Sequence, residues 1–122
     1  MNIYSTTVLA VGPEAEMFRE QDMIILFGSE APDNLKDFCY IIECTDVADD
    51  ISPGQQLIIG GNCYPITAVG EVAQKNLEAL GHISLVFNGS AKAEMGGTIY
   101  VDLAGQSFPV LAQNSIITIR SS

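Results

Sequence analysis

The stretch that decides the fold runs PGQQLIIGGNCYPITAVG (residues 53–70), then EVAQKNLEALGH (71–82), then ISLVFNG (83–89). Residues 56–59 and 64–69 are rich in β-branched and aromatic side chains, which favour strands. Gly60, Gly61 and Asn62 lie between them and supply the positive φ angles that a tight turn requires. This part of the chain is therefore predicted to form a β-hairpin.

The residues after the hairpin change to a helical period. Apolar side chains recur at helical spacing at Val69, Val72, Ala73, Leu77 and Leu80. These positions fall on one face of a helix, so a helix is predicted over residues 71–80. Gly81 follows at the place where a left-handed residue commonly ends a helix. An apolar run then begins after His82, and it predicts a returning strand.

The rest of the chain alternates short apolar runs with turn signals. Further strands are predicted at residues 3–11, 23–27, 39–44, 98–103, 107–111 and 116–119, and short helical segments at 13–21 and 32–38. Short strands with many glycine turns are typical of a mainly β domain. Because closing a sheet removes its exposed edges, the prediction is a small closed or partly closed β-barrel with one or two short helices. The helix at 71–80 is expected to pack as a lid on this barrel, within a single domain spanning residues 1–122.

Composition limits the partners and the compartment. The net charge is −10 with only five basic residues, so phosphate backbones would repel the chain and nucleic acid is not an expected partner. A basic protein partner is compatible with this charge. Three cysteines without a CxxC motif indicate reduced thiols. All apolar runs are short and the N-terminus lacks signal-peptide features, so a cytoplasmic location is expected.

A family resemblance rests on residue groups at fixed spacing along most of the chain. The central groups are Pro53-Gly54-Gln55-Gln56, Tyr64-Pro65, Thr67-Ala68-Val69-Gly70, Val72-Ala73, Asn76-Leu77 and Leu80-Gly81-His82. The outer groups are Ile3-Tyr4, Thr6-Thr7, Gly12, Ala31-Pro32, Leu35, Cys39, Phe87, Gly89, Ala93-Glu94 and Gly97-Thr98. With these groups the chain resembles the glucitol/sorbitol-specific enzyme IIA of the bacterial phosphotransferase system.

The resemblance implies a phosphocarrier in the phosphoenolpyruvate-dependent uptake of sugar alcohols. Such a protein takes a phosphoryl group from the histidine-containing phosphocarrier protein and holds it on a histidine. It then passes the group to the B and C components of the membrane sugar transporter. No cofactor and no metal site are expected. The alternative is a non-catalytic regulatory or binding homologue that kept the fold and lost the acceptor.

One position departs from the pattern that the resemblance implies. The acceptor is expected in a His-Cys-His triplet that follows a Cys-aromatic pair. Here Cys39-Tyr40-Ile41 matches the approach, but the triplet reads Ile42-Glu43-Cys44. Ile42 therefore occupies the acceptor position, and an isoleucine cannot accept phosphate. Phosphorylation is predicted to be weak or absent, and the sequence leaves open whether the chain is an active transferase component.

Three other side chains are candidate phosphoacceptors. His82 is the only histidine, but a histidine at a helix C-terminus is also favoured by the dipole without any catalysis. Cys44 shares a strand face with Ile42 and has no basic neighbour in sequence, so it is expected to be buried and inert. Glu43 would need a metal and dedicated basic residues to form an acyl phosphate, and it points to the opposite face.

The remaining reactive residues predict no further site. Cys39 and Cys63 lie in apolar runs and are expected to be small core residues. Asp46, Asp49 and Asp50 are expected to form a solvated acidic loop, because their spacing fits no calcium-binding loop. Exposed edges of an incompletely closed barrel make a homodimer compatible with the prediction.

Overall fold

A computed structural model describes residues 1–121 and shows a closed eight-stranded barrel. The strands are β1 (Asn2–Val11), β2 (Met23–Gly28), β3 (Tyr40–Ile42), β4 (Gln56–Ile59), β5 (Asn62–Val69), β6 (Ile83–Val86), β7 (Thr98–Val101) and β8 (Ile116–Arg120). The helices are a 3₁₀ segment (Ala15–Gln21), α1 (Asp33–Lys36) and α2 (Ala73–Leu80). Around the barrel the order is β1-β3-β2-β6-β7-β5-β4-β8, with β8 pairing back onto β1. The predicted fold class is confirmed.

The central hairpin forms as its turn residues dictate. Strands β4 and β5 pair antiparallel up to Ile59 opposite Asn62, which leaves a two-residue turn. Gly60 and Gly61 have φ angles of 59° and 84°, a left-handed pair that suits the twist of the two strands. Asn62 lies in β5, so glycine alone supplies the positive φ angles.

The core fills the inside of the barrel, and α2 covers one of its sides. Tyr64, Ile42 and Ile99 are fully buried inside, and α2 adds Ala73 and Leu77 to the same cluster. Full burial of a side chain such as that of Leu77 contributes about 1.5–3 kcal/mol to stability. The predicted apolar face of this helix is only partly correct, since Val72 and Leu80 at its edges are 41% and 50% exposed.

Three strand predictions are wrong in extent or in kind. The strand predicted at 98–103 ends at Val101. Residues 107–111 form no strand, because Pro109 lacks a backbone N–H for a ladder. The strand predicted at 39–44 contains only Tyr40–Ile42. At the start of the predicted strand, the N–H of Cys39 donates to the carbonyl of Lys36 at 3.2 Å. Cys39 therefore continues the turn of α1 and does not belong to β3.

Each strand of the ring has two neighbours, so residues 1–121 contain no free strand edge. The homodimer stays a prediction, although the closed ring offers no edge strand to support it. No helix in this part of the chain is long and apolar enough to cross a membrane.

Candidate functional site

An open pocket of about 560 Å³ lies between the C-terminal end of β2 and the C-terminal turn of α2. Its lining residues are Phe27, Gly28, Ser29, Glu30, Pro32, Cys44, Ala79 and Leu80. We call it the Cys44 pocket. Most of the lining is apolar or backbone, and Glu30 supplies its one carboxylate.

Ile42, at the expected acceptor position, lies next to this pocket but is closed off from it. Its side chain is 0% exposed, and it pairs with Gly28 in the parallel ladder between β2 and β3. A Cβ on Gly81 would lie 3.7 Å from Cγ1 of Ile42 and 2.9 Å from the nitrogen of Gly28. A Cβ on Gly28 would lie 2.5 Å from the carbonyl oxygen of Leu80. We call this close approach of two backbones at Gly28 and Gly81 the glycine junction. It leaves solvent no route to Ile42.

Cys44, by contrast, is exposed and lines the pocket. The prediction of a buried cysteine on the same face as Ile42 is therefore wrong, because β3 ends at Ile42 and strand alternation stops there. Its Sγ donates to the carbonyl oxygen of Glu78 at 3.5 Å, near the end of α2. Glu43, the intervening residue, is exposed as well.

After β3, side-chain hydrogen bonds join the backbone bond from the N–H of Glu43 to the carbonyl of Thr7 at 3.2 Å. The hydroxyl of Thr6 donates to the carbonyl of Glu43 at 2.7 Å, and the hydroxyl of Thr45 donates to the carbonyl of Ser5 at 2.8 Å. Together they hold the segment that carries Cys44 against β1. Sequence patterns do not reveal this arrangement, because threonine hydroxyls make such bonds only where tertiary structure brings a carbonyl close.

The phenol of Tyr4 lies behind this segment with no hydrogen-bond partner. Tyr4 is 3% exposed, and its hydroxyl is the one buried side-chain polar atom without a partner in the described part of the chain. Burial raises the pKa of Tyr4, and nearby Cys44 raises it further. The hydroxyls of Thr6 and Thr45 are also close to the phenol. Both threonines donate their protons elsewhere, so neither donates to the phenol oxygen.

His82 lies on the outer face of the barrel, half-buried, and it does not line the pocket. Its ring stacks on Phe27 with centroids 4.2 Å apart and planes inclined by 24°. Its Nδ1 lies 3.3 Å from the carbonyl oxygen of Leu26. In the neutral ring this carbonyl requires the proton on Nδ1, which leaves the lone pair on Nε2. Phe27 therefore separates the imidazole from the Cys44 pocket while contacting both.

The other cysteines lie apart from this pocket. Cys39 is buried as predicted, and burial raises its pKa. Cys63 is only half-buried, so the core prediction for it is wrong, and its Sγ lies 3.7 Å from an Arg120 nitrogen. None of the three is in a disulfide.

No metal centre is found in residues 1–121, where no group of three or more His, Cys, Asp or Glu residues could hold an ion. The acidic loop forms local bonds instead: Asp49 accepts from the N–H of Asp50 at 2.8 Å. Gln74 on α2 accepts from the N–H of Ile51 at 2.8 Å, which ties the loop to the helix.

Comparison with known proteins decides the family. The profile of the "PTS system glucitol/sorbitol-specific IIA component" matches residues 3–118. The chain belongs to this family. It is 37% identical over 119 residues to the glucitol/sorbitol-specific EIIA components of Shigella flexneri and of Escherichia coli strain K12. Each match covers 98% of this chain and 95% of the relative.

The fold of this IIA component is also that of a solved relative. A crystal structure of a PTS system IIA component from Enterococcus faecalis V583 superimposes with a TM-score of 0.81 at 27% identity. The match covers 97% of this chain and 100% of that one. The resemblance inferred from the sequence is therefore confirmed. As a member of the family, the chain is a sugar-transport component that works with phosphocarrier and membrane transporter components.

Proposed function

We propose that this IIA component relays phosphate in the cytoplasm, from the histidine-containing phosphocarrier protein to the B and C components of a sugar-alcohol transporter. The observation that carries the proposal is the family match over residues 3–118, together with relatives of nearly the same length. The single barrel domain acts as the carrier, and neither a cofactor nor a metal takes part.

The proposed phosphoacceptor is Nε2 of His82, because position 42 has no nucleophile. The carbonyl of Leu26 at 3.3 Å from Nδ1 supports a tautomer whose free lone pair is on Nε2. In the transfer, this lone pair forms a new N–P bond while the N–P bond of the phosphorylated donor protein breaks. The stack on Phe27 fixes the plane of the ring. Half-burial limits access, so we expect transfer to be slow.

Cys44 is the second candidate acceptor, favoured by its exposure and opposed by its surroundings. The thiolate is the nucleophilic form of cysteine, but the thiol proton of Cys44 is directed to the carbonyl of Glu78. The pocket lining contains Glu30 and no lysine or arginine in the described residues. Nothing there would stabilise an incoming phosphoryl group. Glu43 has no metal or basic partner that would support an acyl phosphate.

Phosphorylation in a reconstituted relay tests the proposal. The chain is incubated with labelled phosphoenolpyruvate, the first relay enzyme and the phosphocarrier protein. We expect a weak, acid-labile label that is lost in His82→Ala and kept in Cys44→Ala. Ile42→His is a separate test of position 42: because Ile42 is fully buried, label on this variant requires that the substitution also opens a route to the new imidazole. Label that survives His82→Ala would exclude His82 and direct attention to Cys44.

A non-catalytic homologue is the second candidate function, and the complete burial of Ile42 is the observation in its favour. It requires that the wild-type chain take no label while it still binds the relay proteins. Labelling of Ile42→His but not of the wild type would support it. Transport of a sugar alcohol by cells that contain this chain as their sole IIA component would contradict it.

A further inference from the structure

The Cys44 pocket combines an apolar wall with one negative charge. Phe27, Pro32 and Leu80 form the apolar part, and the side chain of Leu80 is 50% exposed at the rim. Glu30 is exposed and lines the same pocket. Such a lining suits a ligand with an apolar body and a positively charged end.

The charges around the pocket have the same sign as Glu30. Glu43 precedes Cys44 in the chain and Glu78 precedes Ala79, and both glutamates are exposed.

The lining itself includes no cationic side chain among residues 1–121. Lys36 forms a solvent-exposed ion pair with Asp33 at 3.9 Å. Lys75 is exposed on α2, one helical turn before Ala79, and does not line the pocket. Within a chain of net charge −10, this pocket repels anions and attracts cations.

We propose that the Cys44 pocket binds a lysine or arginine side chain of the protein that delivers the phosphoryl group. The aliphatic stem of such a side chain packs along Leu80 and Phe27, while its charged end pairs with Glu30. Lysine and arginine commonly bury their stems on apolar surface in this way. An arginine would add a bidentate contact to the carboxylate. The inference rests on the proposed relay function, which requires a protein partner at this surface.

The position of the pocket makes it suitable for docking. Phe27 lines the pocket, and its ring stacks on His82. Gly28 lines the pocket and pairs with Ile42 in the parallel ladder. A partner seated in the pocket therefore lies beside both the proposed acceptor and the family acceptor position. Free phosphate or an acidic peptide does not fit the same lining, because Glu30 would repel it.

Binding of the purified phosphocarrier protein to the full chain tests this inference, by isothermal titration calorimetry without any phosphoryl donor. We expect Glu30→Lys to weaken binding about tenfold or more, and Glu30→Gln to weaken it less, because reversal adds repulsion to the lost attraction. Glu94→Lys is the matched control, since it makes the same charge change at an exposed residue outside the pocket. Leu80→Ser should also weaken binding, and raising the ionic strength should weaken the wild type more than Glu30→Gln.

Two outcomes would overturn the inference: binding of Glu30→Lys that equals that of Glu94→Lys, and a wild-type chain that does not bind the phosphocarrier protein. Thermal unfolding of each variant checks that the fold is kept. The two proposals fail separately. If Glu30→Lys binds normally while His82→Ala loses the label, docking in the pocket is wrong and the relay stands. If Glu30→Lys binds weakly but the wild type takes no label, the relay through His82 is wrong and docking stands.

Discussion

Ile42 and Cys44 are separated by one residue but lie in opposite environments. Ile42 is completely buried beside the glycine junction, whereas Cys44 is exposed in the adjoining pocket. Their separation follows from the end of β3 at Ile42, after which two threonine hydroxyls and one backbone bond from Glu43 hold the chain against β1. Chemistry at position 42, the acceptor position that the resemblance implies, would need two things: an imidazole and an open route to it.

The largest expected difference in the free energy of unfolding is between alanine variants at Ile42 and at Cys44. Ile42→Ala should destabilise the fold by about 3–4 kcal/mol, because it leaves a cavity in a fully packed core. Cys44→Ala should change stability by no more than about 0.5 kcal/mol, as is usual for exposed positions. Urea unfolding of both variants measures the difference. Equal, small effects would show that Ile42 is not sealed in the core.

A single methyl group added at Gly28 should force the two backbones of the glycine junction apart. Gly28→Ala should lower the free energy of unfolding by about 3 kcal/mol, because the new Cβ would lie 2.5 Å from the carbonyl oxygen of Leu80. Gly60→Ala is the control: nothing lies within 4 Å of its Cβ, and only the positive φ of 59° is strained. We expect about 1 kcal/mol for this control. The Gly28 variant alone should also change the reactivity of Cys44 with a thiol reagent, since the end of α2 must move.

The smallest effect concerns the phenol behind Cys44. Tyr4→Phe should be neutral or stabilise the fold by up to about 1 kcal/mol, because it removes a buried hydroxyl that has no partner. Thr6→Val is the contrasting variant, since it removes a hydroxyl bonded to Glu43 at 2.7 Å and should cost about 1 kcal/mol.

The same residue predicts a pH dependence. Burial raises the pKa of Tyr4 above its ordinary value of 10.0, so the folded state retains the proton that the unfolded chain releases. This contribution to stability is complete below pH 10 and is lost as the pH rises through the folded pKa. Tyr4→Phe should reduce the loss of stability in that alkaline range. Identical alkaline unfolding curves for wild type and variant would contradict a raised phenol pKa.

Local signals predicted the elements of the fold, and contacts between distant parts of the chain decided the site. Gly60 and Gly61 fix the hairpin, and the spacing of Ala73 and Leu77 fixes α2, because turn geometry and helical period are local properties. The exposure of Cys44 depends on where β3 stops and on hydrogen bonds between this segment and β1, which are Thr6 to Glu43 and Thr45 to Ser5.

The pocket itself needs the C-terminal turn of α2 to lie over Gly28 at the end of β2. No pattern within either segment contains that information. The orphaned hydroxyl of Tyr4 is likewise invisible in sequence, since hydrogen-bond satisfaction is a property of the packed core. Residue 42 lies in a strand, as the sequence predicted, but its complete enclosure was not predicted.

The place of β8 in the barrel has a consequence for synthesis. This strand follows all the others in the chain, yet it lies between β1 and β4 and pairs with both. A ribosome therefore delivers seven of the eight strands before the ring can close. Until β8 arrives, β1 and β4 each present an unpaired edge, which is where nascent β-proteins associate wrongly. The acidic surface that suits docking with a basic partner would also keep neighbouring nascent chains apart during this interval.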